Sequence, residues 1–339
     1  VRYRARVSSV GPPLLARARG LALPGALALA AMALGRVPAA AVAASLEPGP
    51  RDASPRLVAR GGVRVLEDPL LGARTPLAGR PCRIVSLTLA SDLLLAALVE
   101  TGRVVAVTPT VDDPTYSRAT DHYPATVPRI DASAERILAL TPDLVIVSSY
   151  SSAPTARALV GAGVPVLRLP AGRTPAEIAE ATRLLADAVG EPEGGEALVR
   201  AAQATEAALR ARPALTPAPR ALWLAAGGYT HGRGTLTDAL FGLAGARNVA
   251  AEEGLDGFVH IGAEVAVAWR PDVLVVPAED EAAARASLAL LAPALADALA
   301  ATRIVALPSR VSEVTTPDAI EAARMLRDAL ERAPSGGPR

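Results

Sequence analysis

Two stretches of this chain repeat one order of polar and apolar positions. Glu135-Arg-Ile-Leu-Ala-Leu-Thr-Pro142-Asp143-Leu-Val-Ile-Val147 and Glu264-Val-Ala-Val-Ala-Trp-Arg-Pro271-Asp272-Val-Leu-Val-Val276 each run glutamate, six residues, Pro-Asp, then an apolar segment. The segment is short and rich in β-branched residues, the signature of a strand buried on both faces. The glutamate falls in the first turn of a predicted short helix, with Ser133 as N-cap in the first copy and Gly262 in the second. Pro-Asp ends the helix and turns the chain into the strand. The copies lie too far apart for a solenoid repeat of roughly 20–50 residues, so they predict two lobes on one plan.

The same reading places the other elements. Val63–Leu66 and the segment after Gly72 form a predicted hairpin leading into a strand at Arg83–Leu87. A helix over about Ser91–Thr101, a strand at Arg103–Thr108 and a strand at Val164–Leu169 complete the first lobe. Between Thr174 and Arg212 there is helix signal only, interrupted at Gly190 and Pro192, which reads as a helical strut between lobes. The second lobe predicts a strand at Arg220–Ala225, a loop at Gly227–Gly234 and a helix ending near Gly245. Helices over Glu281–Ala301, a strand at Arg303–Leu307 and a last helix over Pro317–Glu331 follow the second Glu–Pro-Asp unit. The expected fold class is α/β, with two Rossmann-like lobes of mostly parallel sheet. The expected boundaries are residues 1–44 for a signal peptide, 45–62 for a flexible leader, 63–172 for the first lobe, 173–213 for the strut, 214–332 for the second lobe and 333–339 for a disordered tail.

Composition narrows the function. The 339 residues are 51% apolar and 20% charged, with net charge +1, which gives no reason to expect a nucleic-acid partner. Lysine is absent, which excludes P-loop and Schiff-base chemistry. The single cysteine, Cys82, excludes an intrachain disulfide and a cysteine-based metal cluster. Arg2, Arg4, Arg6, Arg17 and Arg19 precede the apolar run Leu21–Leu34, and small residues follow at Ala39–Ala44. That order is the secretory signal pattern and predicts export to the periplasm. No cysteine follows the cleavage region, so no lipid anchor is expected there.

Catalytic constellations are sparse. Gly232-x-Gly234 stands after a strand and before a helix, but Thr237 replaces the third glycine and no acidic residue ends a following strand. The three histidines, His122, His231 and His260, fall in separate predicted loops without metal-ligand spacing, so they are expected to meet only across an interlobe cleft. No G-x-S-x-G elbow is present. The chain is not expected to be an enzyme, and no resident metal or cofactor is expected.

Taken together, Arg83–Leu87 after Pro81, both Glu–Pro-Asp units, and Gly234-Thr-Leu-Thr-Asp-Ala-Leu-Phe-Gly-Leu-Ala-Gly-Ala-Arg-Asn248 resemble the substrate-binding proteins of bacterial ABC importers for ferric siderophores, haem and cobalamin. The resemblance spans about residues 63–332. It implies two α/β lobes joined by a long rigid helical connection, with ligand in the cleft between them. It also implies that Glu135 and Glu264, one per lobe, dock the protein to arginines of the membrane permease and so to its ATPase. Ligands of open α/β sheets gather beyond the carboxyl ends of the strands. Those loops carry Tyr116, His122, Tyr123 and Tyr150 in the first lobe and Tyr229, His231 and Arg233 in the second. The resemblance adds Phe258 and Arg310. Arg233 and Arg310 suit an anionic cargo, so the leading expectation is a monomer carrying an iron–siderophore-type chelate. Cobalamin (a corrinoid) or haem is the alternative within the class. An extracytoplasmic enzyme or a divalent-metal-binding protein on a related fold is the alternative outside it.

Overall fold

In the computed structural model, residues 54–149, 153–225, 227–291 and 302–332 are described. The expected signal-peptide segment, Tyr150, the second half of the 281–301 helical region and the expected tail lie outside them.

The chain starts with an antiparallel sheet, β1 (Arg56–Arg60), β2 (Val63–Asp68) and β3 (Ala73–Leu77), in the order β1-β2-β3. This corrects two expectations. Arg56–Arg60 is a strand and not part of a loose leader, and the hairpin is a three-stranded sheet. The cause is register: Leu57 and Leu66 are directly paired, and both reach the first lobe's core. Asp68 is buried and receives a two-pronged ion pair from Arg168 at 2.9 and 3.0 Å, tying this sheet to the first lobe.

The first lobe continues with β4 (Ile84–Ser86), α1 (Leu89–Leu98), β5 (Val104–Ala106), α2 (Ala134–Ala139), β6 (Leu144–Ser148), α3 (Ala153–Gly161) and β7 (Val166–Leu169). Its sheet is wholly parallel, in the order β5-β4-β6-β7. Leu144 and Ile146 of β6 enter one core while Val145 and Val147 enter another on the opposite face. Such two-sided burial is why the segment reads as a continuous apolar run instead of an alternation.

The strut is two helices, α4 (Pro175–Val189) and α5 (Pro192–Arg210). Thr174 caps α4 by accepting from the Glu177 amide, and Gly190 ends it with φ +81°. Only glycine adopts that conformation without strain, which is why the break falls there. The helices pack on each other, joined by the Arg183–Glu196 pair at 2.7 Å.

The second lobe contains β8 (Arg220–Trp223), β9 (Tyr229–His231), α6 (Leu236–Ala244), β10 (Arg247–Asn248), α7 (Val249–Glu252), β11 (Phe258–His260), α8 (Ala263–Ala268), β12 (Val273–Pro277), α9 (Glu281–Leu291), β13 (Arg303–Leu307), α10 (Ser309–Ser312) and α11 (Ile320–Glu331). Its parallel sheet runs β10-β8-β12-β13. Again alternate residues of one strand feed two cores: Val273 and Val275 one, Leu274 and Val276 the other. The β9–β11 ribbon is antiparallel, where the sequence predicts loop. No helix among the described residues is long and apolar enough to cross a membrane.

The repeated unit is duplicated in three dimensions. Thr141 and Arg270, each just before the Pro-Asp, are the two described non-glycine residues with positive φ, at 46° and 47°. The Asp143 carboxylate accepts from the Cys82 and Arg83 amides, both at 2.8 Å, and Asp272 accepts from the Arg220 amide at 2.7 Å. In each lobe the aspartate therefore pins the start of the neighbouring central strand.

Candidate functional site

Loops that follow strands of both parallel sheets are in contact. Arg118, in the long loop after β5, pairs at 3.6 Å with Asp318, which lies after α10 in the second lobe. Gly172, just after β7, lies against Thr315 of the same second-lobe segment, and a methyl added at Gly172 would stand 3.3 Å from the Thr315 Cβ. In open α/β sheets, loops beyond the strand ends are where ligands gather.

On the second lobe that edge is aromatic. The ribbon register sets Phe258 opposite His231 and His260 opposite Tyr229. Directly paired residues and those two apart share one face of a ribbon, so these four side chains form one face. Thr230 and Val259, on the other, are buried. Tyr229 meets His260 edge-on, with centroids 5.3 Å apart, and Phe258 meets His231 edge-on at 4.7 Å. His231 in turn stacks on buried Trp223 at 4.9 Å with planes 20° apart. The layer beneath is buried and the layer above is open, since Tyr229 is 52% exposed and Phe258 51%. Burial pushes the His231 imidazole down to about 4, so it is neutral at pH 7. Its Nδ1 shares a 2.7 Å hydrogen bond with the Thr237 hydroxyl.

The ribbon depends on close backbone contact. A Cβ on Gly232 would stand 2.2 Å from the Leu255 carbonyl oxygen, where the Gly232 and Arg233 amides donate to Gly257 and Leu255 at 2.7 and 2.8 Å. The Gly232-x-Gly234 pair thus owes its first glycine to chain packing and not to a dinucleotide phosphate.

The remaining candidates fall in different settings. Tyr116 is 39% exposed on the first-lobe loop, and exposed His122 shares a 3.3 Å hydrogen bond with Thr101. Tyr123 corrects the expectation of a cleft residue: it is buried in the first lobe's core, and its hydroxyl donates to the Asp92 carbonyl at 2.6 Å. Its polar group is thereby consumed and its ring is covered. Arg233 pairs with Asp256 at 3.2 Å, and Arg310 is held by Glu279. His231 and His260 sit on paired strands of one lobe, so the expectation that histidines meet only across the cleft is also corrected. Among the described residues no group of three or more His, Cys, Asp or Glu side chains is placed to hold a bare metal ion.

The sequence pattern singles out His260 as a histidine without placing it in the site. A signal is present: Tyr229-Thr-His231 and Phe258-Val-His260 both alternate ring, small apolar or hydroxyl residue, ring. It is obscured because three residues are too few for a period of two to declare a strand.

Glu135 and Glu264 are exposed, each in the first turn of its helix, α2 and α8. Ser133 caps α2 through the Arg136 amide, and Gly262 occupies the cap of α8 without a side-chain bond.

Comparison with known proteins agrees with this architecture. The periplasmic haem-binding protein RhuT of Roseiflexus sp. RS-1, in apo form, is 29% identical, with a TM-score of 0.61 over 74% of this chain and 99% of that one. A periplasmic haem-binding protein from Pseudomonas aeruginosa is 27% identical, with a TM-score of 0.58 over 76% and 95%. An ABC-type Fe3+-hydroxamate transport protein from Saccharomonospora viridis DSM 43017 shares the fold at 22% identity, with a TM-score of 0.59 over 77% and 97%. A search of curated proteins finds no significant match. The profile of the periplasmic binding protein family matches residues 84–311, well over half of the chain, and members of that family work outside the cytoplasm with ABC permeases. This chain is a member of the periplasmic binding protein family.

Proposed function

We propose that the protein captures a metallated planar tetrapyrrole of the haem class between its lobes and delivers it to an ABC permease. One observation carries the choice of cargo: the open aromatic face of Tyr229, Phe258 and His260 over a buried His231–Trp223 layer. A flat apolar macrocycle is recognised by ring-on-ring and edge-on contact. Tyr229 and His260 add a phenol and an imidazole, both groups that ligate iron. Both of the haem-binding proteins compared above, at 29% and 27% identity, support the same choice.

A siderophore-type ferric chelate is the second reading, favoured by Arg233 and Arg310 at the same sheet edge. Both arginines already hold carboxylates, Asp256 and Glu279, which an anionic chelate would have to displace. Haem is therefore placed first.

Glu135 and Glu264 are the proposed permease contacts. Two exposed carboxylates, one per lobe, report the relative placement of both lobes to a cationic partner and steer the encounter. Export by the N-terminal signal and action as a monomer complete the proposal. Titration with hemin followed by absorbance is the test: a shifted, saturable Soret band is expected. Saturable binding of a ferric hydroxamate with no hemin spectrum would replace the haem reading by the chelate one.

A further inference from the structure

The two glutamate-bearing helices are short, and each is gripped at its far end by one arginine. In the first lobe Arg83 donates from Nε to the Thr141 carbonyl at 3.0 Å and from Nη2 to the Leu140 carbonyl at 2.6 Å. In the second, Arg220 donates from Nη1 to the Trp269 and Arg270 carbonyls at 2.7 and 3.1 Å. Leu140 and Trp269 are the C-caps of α2 and α8, and Thr141 and Arg270 are the positive-φ residues that follow. A helix end leaves carbonyls without intrahelical partners, and a cation there is favoured by the helix dipole. Both arginines lead into the central strand of their sheet, and their own amides are held by Asp143 and Asp272.

We infer that Arg83 and Arg220 are positioning residues that lock α2 and α8 onto the rigid sheets, so that Glu135 and Glu264 meet the permease at a fixed spacing. This rests on the docking reading above. A six-residue helix is too short to hold itself in water, so its orientation comes from anchoring. The two clamps are not equal. Arg220 also pairs with Glu252 at 2.9 Å and Glu253 at 3.5 Å, which fix its guanidinium from the other side. Arg83 makes no ion pair of that kind among the described residues, so the first-lobe clamp is the looser of the two.

The test compares the full chain with Arg83→Gln and Arg220→Gln, and with Arg83→Lys and Arg220→Lys as charge-keeping variants. Amide hydrogen exchange over 134–141 and 263–270 reports each helix, hemin titration reports the cleft, and hemin uptake by cells making the variant reports docking. Each glutamine variant is expected to speed exchange in its own helix by about tenfold or more while leaving the other helix unchanged. Hemin affinity should stay constant while uptake falls by about fivefold or more. Lysine, lacking the planar fork, should restore uptake only in part. Unchanged exchange in both glutamine variants overturns the inference, as does faster exchange with normal uptake. The double reversal Glu135→Arg with Glu264→Arg separates the two ideas. If it leaves uptake intact, the docking reading fails, and with it the purpose assigned to the clamps, while exchange still decides whether the arginines hold the helices.

Discussion

Phe258 stands edge-on to His231, with ring centroids 4.7 Å apart and planes at 84°, so one exposed ring rests on one buried ring. Replacing Phe258 by Ala removes the outer ring and leaves the His231–Trp223 stack in place. Hemin affinity should fall by about tenfold, corresponding to about 1.4 kcal/mol, within the range of one aromatic contact. Absorbance titration measures the affinity, and an unchanged thermal midpoint shows that the fold is intact.

Gly232→Ala is expected to be more disruptive than its size suggests. The added methyl meets backbone, the Leu255 carbonyl, which has no rotamer by which to yield. A loss of about 1–3 kcal/mol in denaturant unfolding is expected, together with weakened hemin binding. Alanine at Gly234, where the added methyl has open space but φ is +75°, should cost only the backbone strain of about 1–2 kcal/mol.

Asp92 gives the protein a pH dependence of unusual sign. It lies in the first turn of α1, fully buried, with one carboxylate oxygen bonded to the Thr108 hydroxyl and amide. Burial pushes its pKa from 3.8 up to about 7. Between those values the folded state keeps a proton that the unfolded chain releases, so this contribution to stability falls as pH rises from about 4 to 7 and is constant above. Asp92→Asn should therefore stabilise the protein by roughly 1–4 kcal/mol at pH 8 and by much less at pH 5. Urea unfolding at the two pH values measures it.

His231 acts in the opposite direction. Its folded pKa of about 4 lies below the ordinary 6.5, so the unfolded chain takes up a proton that the folded protein refuses. Stability from this group is intact above pH 6.5 and is lost as pH falls toward 4. His231→Gln, which retains a group able to bond Thr237, should flatten that acid limb in the same unfolding series.

Much of the architecture is legible in the residues. The apolar runs after Pro142-Asp143 and Pro271-Asp272 are four consecutive buried positions each, and no other common element buries so short a run on both sides. Gly190 marks the strut's break because a left-handed φ leaves glycine as the least strained choice. The first-lobe boundary is misleading in sequence because Arg56 and Arg60 look like solvated leader. In the sheet, Arg56 and Arg60 gather on Glu67 across the strands, and Arg64 reaches Asp187 of the strut. The site is only half legible. Tyr123 carries the same residue type as Tyr229 and sits in a similar predicted loop, yet its hydroxyl is spent on the Asp92 backbone. Which tyrosine is left exposed depends on long-range packing that no local pattern encodes. The arginine clamps are hidden for the same reason, since Arg83 and Leu140 become neighbours only when β4 and β6 pair.

The central claim is that the Tyr229–Phe258–His260 face holds the cargo. The most direct measurement is a Soret titration of the parent chain beside a Tyr229→Ala, Phe258→Ala double variant, with unfolding curves for both. The predicted result is saturable hemin binding by the parent and at least about a hundredfold weaker binding by the variant, because two rings that would face the macrocycle are removed at equal stability. Equal affinity in the two proteins, or no saturable Soret shift in the parent, contradicts it.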